Sequence, residues 1–342
     1  MTDMTLADLG WSADFARQLP PGDDATPARI AAVHRTRLDA LSPDGPLSLT
    51  PTAPAGDYAV GDWVLATGER ASPPLDRLTE ITRRAAGHEA RPQLIAANVD
   101  TLAIVTSCNE DFNIPRLERY LALAAQAGCL PLIVLTKADR CDDPDAYRRR
   151  AERLSPMITA LTLNAKDSDE ATRLAPWCRA GRTLALVGSS GVGKTTLQNA
   201  LTGLSEATRD IREDDARGRH TTTNRALRPT LHGGWLIDTP GMRELRLVDA
   251  EDGIEDVFAD LLDIAAACRF RDCAHDSEPG CAIRAAIAAG TLDPARLDRW
   301  RKLDAENRHN TESVAQRKAR GRTLARMVRE VKSVKARNRV ED

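Results

Sequence analysis

At 342 residues, with 42% apolar and 29% charged side chains, the chain can hold two or three globular domains. Aromatic residues are only 4%, so its cores must rest on Leu, Val, Ile and Ala. The net charge of −2 by itself argues against a nucleic-acid partner, and the longest mostly apolar stretch, Leu121 to Leu135, is interrupted by Gln126, Gly128 and Pro131 and is too short to cross a bilayer.

Residues 1–27 are polar and rich in Pro and Gly. That composition makes a flexible leader the expectation, and Asp3, Asp8 and Asp14 stand where a targeting segment would be basic and then apolar, so none is expected. From 28 to 97 short β-like runs ("RIAAVHRTRL", "GDYAVGDWVLAT", "RLTEITRRA") are broken by turn residues, which suits a small OB-like β-barrel. The pattern then changes. Strand candidates at 101–107, 131–136, 158–165, 183–188 and 233–239 alternate with helices around 114–128, 143–154 and 168–179 and from Gly193. Unbroken apolar strands separated by helices indicate a parallel sheet covered on both faces, here assigned to 98–249. The remainder, 250–342, reads as helical, interrupted by a Cys/His cluster and ending in a long basic helix. From Ser313 to Val340 ten Lys/Arg face a single Glu330, a net +9, which leaves about −11 for the rest. A basic end on an acidic body suits an anionic partner; a solvated helix face is the other reading.

Gly188-Ser189-Ser190-Gly191-Val192-Gly193-Lys194-Thr195 fits G-x-x-x-x-G-K-[ST] without a mismatch. Glycines let backbone N–H groups curl around phosphates, Lys194 offers a cation to the terminal phosphates, and the Thr195 hydroxyl can reach Mg²⁺. The helix that follows, through Thr196, points its positive end at the same anion. Asp238-Thr239-Pro240-Gly241 ends the next strand: Asp238 can hold Mg²⁺ through water, and the Gly241 N–H can sense a γ-phosphate.

Thr136-Lys137-Ala138-Asp139 ends another strand. The Asp139 carboxylate can accept from the ring N–H and the exocyclic amine of guanine, a pair that adenine does not offer. Thr136 stands where Asn is usual, which is expected to weaken the bracing of this loop and to leave Asp139 intact. Asn164-Ala165-Lys166 resembles the second guanine loop, in which the Ala N–H meets the base oxygen. The order is unusual: both base loops precede the phosphate loop and DTPG. A cyclic shift converts this order into that of a conventional GTPase with no element left over. Parallel sheets tolerate such re-cutting because each βα unit packs locally.

Between the phosphate loop and DTPG lies "GRHTTT", where a GTPase carries a switch threonine; Thr222 is taken over Thr221 as the second Mg²⁺ and γ-phosphate contact. Met242 follows DTPG where many GTPases carry a water-orienting Gln, so hydrolysis should be slow unless a partner or another group positions the water. His220 is the candidate for that role. Of seven cysteines, Cys268, Cys273 and Cys281 cluster with His275, the Cys₃His set of a closed structural Zn²⁺ site and a pattern suited to a reducing cytoplasm.

Together with "VGDWV", "AANVD", "LERYL", "VLTKAD", "GSSGVGKTTL" and "IDTPGM", these motifs resemble the circularly permuted GTPases of the ribosome small subunit-dependent GTPase A (RsgA/YjeQ/EngC) family over about 30–310. The resemblance implies a circularly permuted α/β P-loop GTPase with an N-terminal OB-like barrel and a C-terminal helical zinc-binding domain. It also implies GTP/GDP and Mg²⁺ as ligands and one structural Zn²⁺. The implied partner is the small ribosomal subunit, through 16S rRNA and ribosomal proteins, met in the cytoplasm by a chain that is monomeric in isolation and free of membrane. A P-loop ATPase or kinase and an RNA-binding module with a nucleotide sensor are the other classes. Lys194, Thr195, Asp238 and Asp139 together argue against a dead site.

Overall fold

A computed structural model describes residues 4–84, 92–155, 158–204, 225–239 and 247–311, apart from positions 21, 23 and 248. After a single-turn helix α1 (Ala13–Ala16), strands β1 (Thr26–Val33), β2 (Leu38–Ser42), β3 (Gly45–Pro51), β4 (Trp63–Thr67) and β5 (Arg70–Ala71) close a barrel in the order β1-β2-β3-β5-β4. Strands β3 and β5 run parallel and the other pairs antiparallel, which is the OB arrangement. Alternate residues Ala28, Ile30, Leu38, Ala40, Val64 and Ala66 fill its interior. The stretch expected as a further barrel strand instead forms a separate antiparallel ribbon, β6 (Glu80–Arg84) with β7 (Pro92–Ala97).

The second sheet contains β8 (Thr101–Ser107), β9 (Leu130–Thr136), β10 (Thr159–Thr162), β11 (Thr183–Gly188), β12 (Leu227–Pro229) and β13 (Trp235–Asp238) in the order β10-β9-β8-β11-β13-β12. All pairs are parallel except β12 with β13. The three-residue strand β12 is too short to leave a periodic signal and was not expected. Leu102, Ile104, Ile133, Leu135, Ala185, Val187 and Ile237 face one core. Their neighbours Ala103, Val105, Leu132, Val134, Leu184, Leu186 and Leu236 face another, so the unbroken apolar runs are explained by burial on both sides. Helix α2 (Ile114–Gln126) lies over the first face, with α3 (Pro144–Glu152) contributing Ala151. The short α4 (Ser168–Thr172) and α5 (Lys194–Thr202) serve the second face, with Leu197 and Leu201 of α5 in its core. The chain runs outward from β8 to β10, then returns to β11 on the other side of β8. This reversal is the switch point at which open parallel sheets form crevices beyond their carboxyl ends.

The expected flexible leader is corrected over its described part. Leu9 and Phe15 are fully buried, the rings of Trp11 and Trp63 meet edge-on at 4.7 Å, and Trp235 Nε1 donates to the Asp8 carbonyl at 2.7 Å. A few apolar residues in a polar stretch are enough to wedge it between barrel and sheet. Arg29, fully buried, seals the junction: it donates to the Leu9 carbonyl (2.6 Å), the Asn98 carbonyl (3.1 Å) and the Thr183 hydroxyl (2.7 Å).

Beyond the sheet come α6 (Glu251–Val257), α7 (Ala259–Ala265), α8 (Ala282–Ala288) and a helix α9 over 294–311. Helix α6 packs on α2 so closely that a Cβ on Gly253 would lie 2.2 Å from the Ala122 carbonyl oxygen. A buried ion network clamps α9 to the same helix. Glu118 accepts from Arg296 at 3.2 Å and Arg299 at 2.9 Å, and Arg296 also reaches Asp260 at 2.7 Å and the Val257 carbonyl at 2.8 Å. No described helix is long and apolar enough to cross a membrane.

Candidate nucleotide site and metal cluster

The four candidate nucleotide elements follow β9, β10, β11 and β13, parallel strands in the run β10-β9-β8-β11-β13, and so leave the sheet at its carboxyl end. Gly188 leaves β11 at φ +139°, and a Cβ there would lie 2.1 Å from the Val105 carbonyl oxygen, so only glycine lets the loop turn against β8. Ser189, Ser190 and Gly191 form the crest. Val192 is fully buried and pins the loop to the core beneath it. Gly193, in the left-handed region, opens α5, so that Lys194, Thr195 and Thr196 occupy its first turn. Lys194 Nζ donates to the Gly188 carbonyl at 2.9 Å and to the Ser189 carbonyl, lying across the loop it would serve. Thr195 is exposed. Asp238 ends β13 opposite Leu186, and the Thr239 hydroxyl donates to the Leu186 carbonyl at 2.6 Å, tying this turn to β11.

The base loop is joined to the phosphate loop directly. Thr136 is fully buried, and its Oγ1 lies 2.5 Å from the Val192 carbonyl oxygen and 3.1 Å from that of Thr106. With one proton to give, the hydroxyl donates to the nearer, across the phosphate loop. The bracing that Thr in place of Asn was expected to weaken is thus made by the hydroxyl itself. Lys137 turns the chain at φ +59°, an uncommon conformation for a residue with a side chain, and Ala138 and Asp139 begin a 3₁₀ turn. Asp139 is 39% exposed at the side chain, with the Arg140 guanidinium 3.9 Å away, so its carboxylate is open to a ligand. The second loop lies alongside: the Ala138 N–H donates to the Leu163 carbonyl at 3.4 Å, and Asn164, Ala165 and Lys166 follow. Asn164 Oδ1 accepts from the Lys166 N–H at 3.0 Å. His220, Thr222 and Gly241, and all of the basic end from Ser313 to Val340, lie outside the described residues.

The structure brings Cys268, Cys273, His275 and Cys281 together, with all four potential ligand atoms within 4.8 Å of one another. His275 Nδ1 is 3.6 Å from Cys268 Sγ and 3.5 Å from Cys281 Sγ, and the two sulfurs are 4.0 Å apart. A tetrahedron built with Zn–S of ~2.3 Å and Zn–N of ~2.05 Å has S···N edges of ~3.5 Å and S···S edges of ~3.8 Å. The donor set and its spacing therefore fit a closed four-ligand metal site. Burial, and then the Arg301 guanidinium, hold the His275 imidazole below its ordinary pKa, favouring the neutral form that a metal needs. Burial works to raise the Cys268 thiol, but the backbone N–H groups of Ala282 and Ile283 help to outweigh it and keep the thiol low. Two supports were not foreseen from the sequence. Glu278 accepts the N–H groups of Ala274, Asp276 and Ser277 at 2.8–3.0 Å, and its own backbone N–H, then that of Ala274, hold its pKa down to about 2. Arg301 on α9 ties the knuckle down through the Ala274 carbonyl (2.6 Å) and Asp276 (2.7 Å).

Comparison with known proteins agrees with this geometry. The family model described as RsgA GTPase matches residues 74–248. The small ribosomal subunit biogenesis GTPase RsgA of Mesorhizobium japonicum is 55% identical over 316 residues, covering 90% of this chain and 91% of that protein. RsgA 2 of Vibrio parahaemolyticus is 44% identical, covering 98% and 94%. Among solved structures, YjeQ from Thermotoga maritima superposes with a TM-score of 0.61 at 22% identity over 82% of this chain and 98% of its own. YloQ, described as a circularly permuted GTPase, gives 0.59 at 22% identity over 86% and 98%. The permuted order of loops, their place at the carboxyl end of the sheet and these similarities together place the chain in the RsgA GTPase family, and hence among the GTP hydrolases.

Proposed function

We propose that this GTPase works on the small ribosomal subunit late in its maturation, turning over GTP slowly alone and faster on the subunit, and assisting the release of assembly factors. The observation that carries the nucleotide half of this reading is the Thr136 hydroxyl at 2.5 Å from the Val192 carbonyl, which makes the base loop and the phosphate loop one unit. In this reading Gly188–Thr196 would cradle the phosphates, Lys194 would neutralise the terminal ones, and Thr195, Thr222 and Asp238 would hold Mg²⁺. Mg²⁺, when bound, neutralises charge on the β- and γ-phosphates. Thr136–Asp139 and Asn164–Lys166 read guanine, Gly241 senses the γ-phosphate, and His220 orients the attacking water. Zn²⁺ is the metal proposed for the Cys₃His set, with a structural role.

The partner half is supported by the names of the relatives and by surface chemistry. Arg269, Phe270 and Arg271 stand exposed on the metal knuckle, with the Arg269 guanidinium 5.5 Å from the Phe270 ring centroid. A ring that can stack on a base beside cations that can meet phosphates is a common RNA-binding surface. The net +9 of the C-terminal segment adds salt-dependent attraction to the same end. The cytoplasm follows as the location, with the protein monomeric until it docks.

GTP hydrolysis measured with and without purified small subunits tests the whole reading. Stimulation of about tenfold or more supports it; equal rates overturn the ribosomal half and leave the GTPase intact. Asp139→Asn should move base preference from guanine toward xanthine, and retained guanine selectivity would remove Asp139 as the reader.

A further inference from the structure

The loop at 164–166 would read a base with a backbone N–H, so its selectivity depends on how firmly its backbone is aimed. Three bonds set that aim. Asn164 Oδ1 accepts from the Lys166 N–H at 3.0 Å, and the Asn164 carbonyl accepts from the Asp167 N–H at 3.0 Å. The third comes from outside the loop: the Asn164 N–H donates to Glu170 Oε2 at 2.8 Å. The first is internal to the turn and would rotate with it. The second joins the turn to Asp167, the N-cap of helix α4, and the Glu170 bond is the side-chain tie to the helix itself.

Glu170 is itself held. Asp167 Oδ1 accepts from the N–H groups of Asp169 and Glu170, at 2.9 and 3.3 Å, which fixes the first turn of α4 and the starting direction of the Glu170 side chain. Ala171 beside it is buried, so the turn cannot shift without disturbing the core. Between the pinned Asn164 and the folded-back Lys166 sits Ala165, only 7% exposed. A Glu three residues after an N-cap Asp would ordinarily bond back to the cap's own N–H. Here it reaches three residues further back and stabilises a loop instead of the helix end.

We propose that Glu170 is a positioning residue for guanine recognition: its carboxylate holds the Asn164 N–H and so aims the Ala165 N–H at the oxygen on C6 of the base. This rests on the reading of 164–166 as the second base loop. A hydrogen bond to a charged acceptor is among the stronger ones, and its loss lets the turn rotate about Asn164, so the base contact weakens while the phosphate contacts stay.

The test measures binding of GDP and of 6-thio-GDP to the full-length protein by calorimetry. The thio analogue keeps the ring N–H and the amine that Asp139 would meet but replaces the oxygen by a poor acceptor. Glu170→Ala should weaken GDP about tenfold and 6-thio-GDP less than about twofold. Glu170→Gln, whose amide oxygen still accepts, should recover most of the loss. Equal weakening of both nucleotides would overturn the proposal, because Glu170 would then support the whole site, and so would unchanged GDP binding. If the unmodified protein binds the two nucleotides equally, the reading of 164–166 as a base loop fails and the proposal fails with it. That result is separate from one in which the protein discriminates but Glu170→Ala does not alter the discrimination. The Gln variant, nearly identical in shape, keeps the test open should the Ala variant fold poorly.

Discussion

The nucleotide loops draw together residues distant in the chain and the Cys/His cluster draws together four within fourteen residues, and the two are held by opposite means. The loops are the ends of strands buried on both faces, and the sheet sets their shape: Gly188 against Val105, Val192 in the core, Thr136 on the Val192 carbonyl. The cluster is four side chains on loops between short helices, with Glu278 and Arg301 as its main polar supports. A site built on a sheet persists when one ligand group is removed. A site built by its ligands would not, because a metal held by Cys268, Cys273, His275 and Cys281 would supply the energy that closes those loops.

The largest effect should come from removing the metal proposed for the Cys₃His set. Chelation, or Cys281→Ser, should abolish hydrogen-exchange protection over about 259–311 and leave β8–β11 protected; intact protection in both regions would show that the helices carry themselves. Next, Arg296→Met leaves Glu118 buried without its full set of partners and should cost about 3–5 kcal/mol in denaturant unfolding. Arg299 still reaches Glu118, so a loss near the lower figure is expected, and no loss would show that α9 docks by apolar contact alone. Lys194→Ala should lower GTP turnover by about two orders of magnitude while the melting temperature stays within a few degrees. A large fall in melting temperature would break the contrast, since the loop would then depend on its ligand group as the cluster does. Smallest, Thr136→Val keeps the volume but removes the hydroxyl. It should weaken GDP by about five- to tenfold, and an unchanged affinity would show that the two loops are held together by the sheet alone.

Much of the nucleotide site could be read in the chain because its requirements are local. A phosphate loop needs particular glycines at fixed spacing and a strand before it, and both are visible in eight or ten consecutive residues. The strands at 101–107 and 183–188 coincide with β8 and β11 because they are apolar on both faces and bounded by turn residues. The metal set was equally legible, since four soft ligands within fourteen residues have few other uses. Where the signal was short or weak the reading failed: β12 has three residues, and the region expected as one helix over 168–179 is a five-residue helix followed by a 3₁₀ turn at 175–177.

The sequence by itself determined the order of the motifs, and with it the permutation, the class of nucleotide and the donor set of the metal site. These are matters of which chemical groups occur at which spacing. Tertiary structure alone decided the rest. It wedged residues 4–19 between barrel and sheet through Trp235 and Asp8, 227 positions apart, and locked α9 to α2 through Arg296 and Glu118, 178 apart. It set the Thr136 hydroxyl on the Val192 carbonyl, 56 positions away, and so turned an apparent departure into a brace. Each of these contacts depends on two surfaces meeting at a particular register. No local pattern encodes that meeting, because the free energy that selects it comes from burying both surfaces at once.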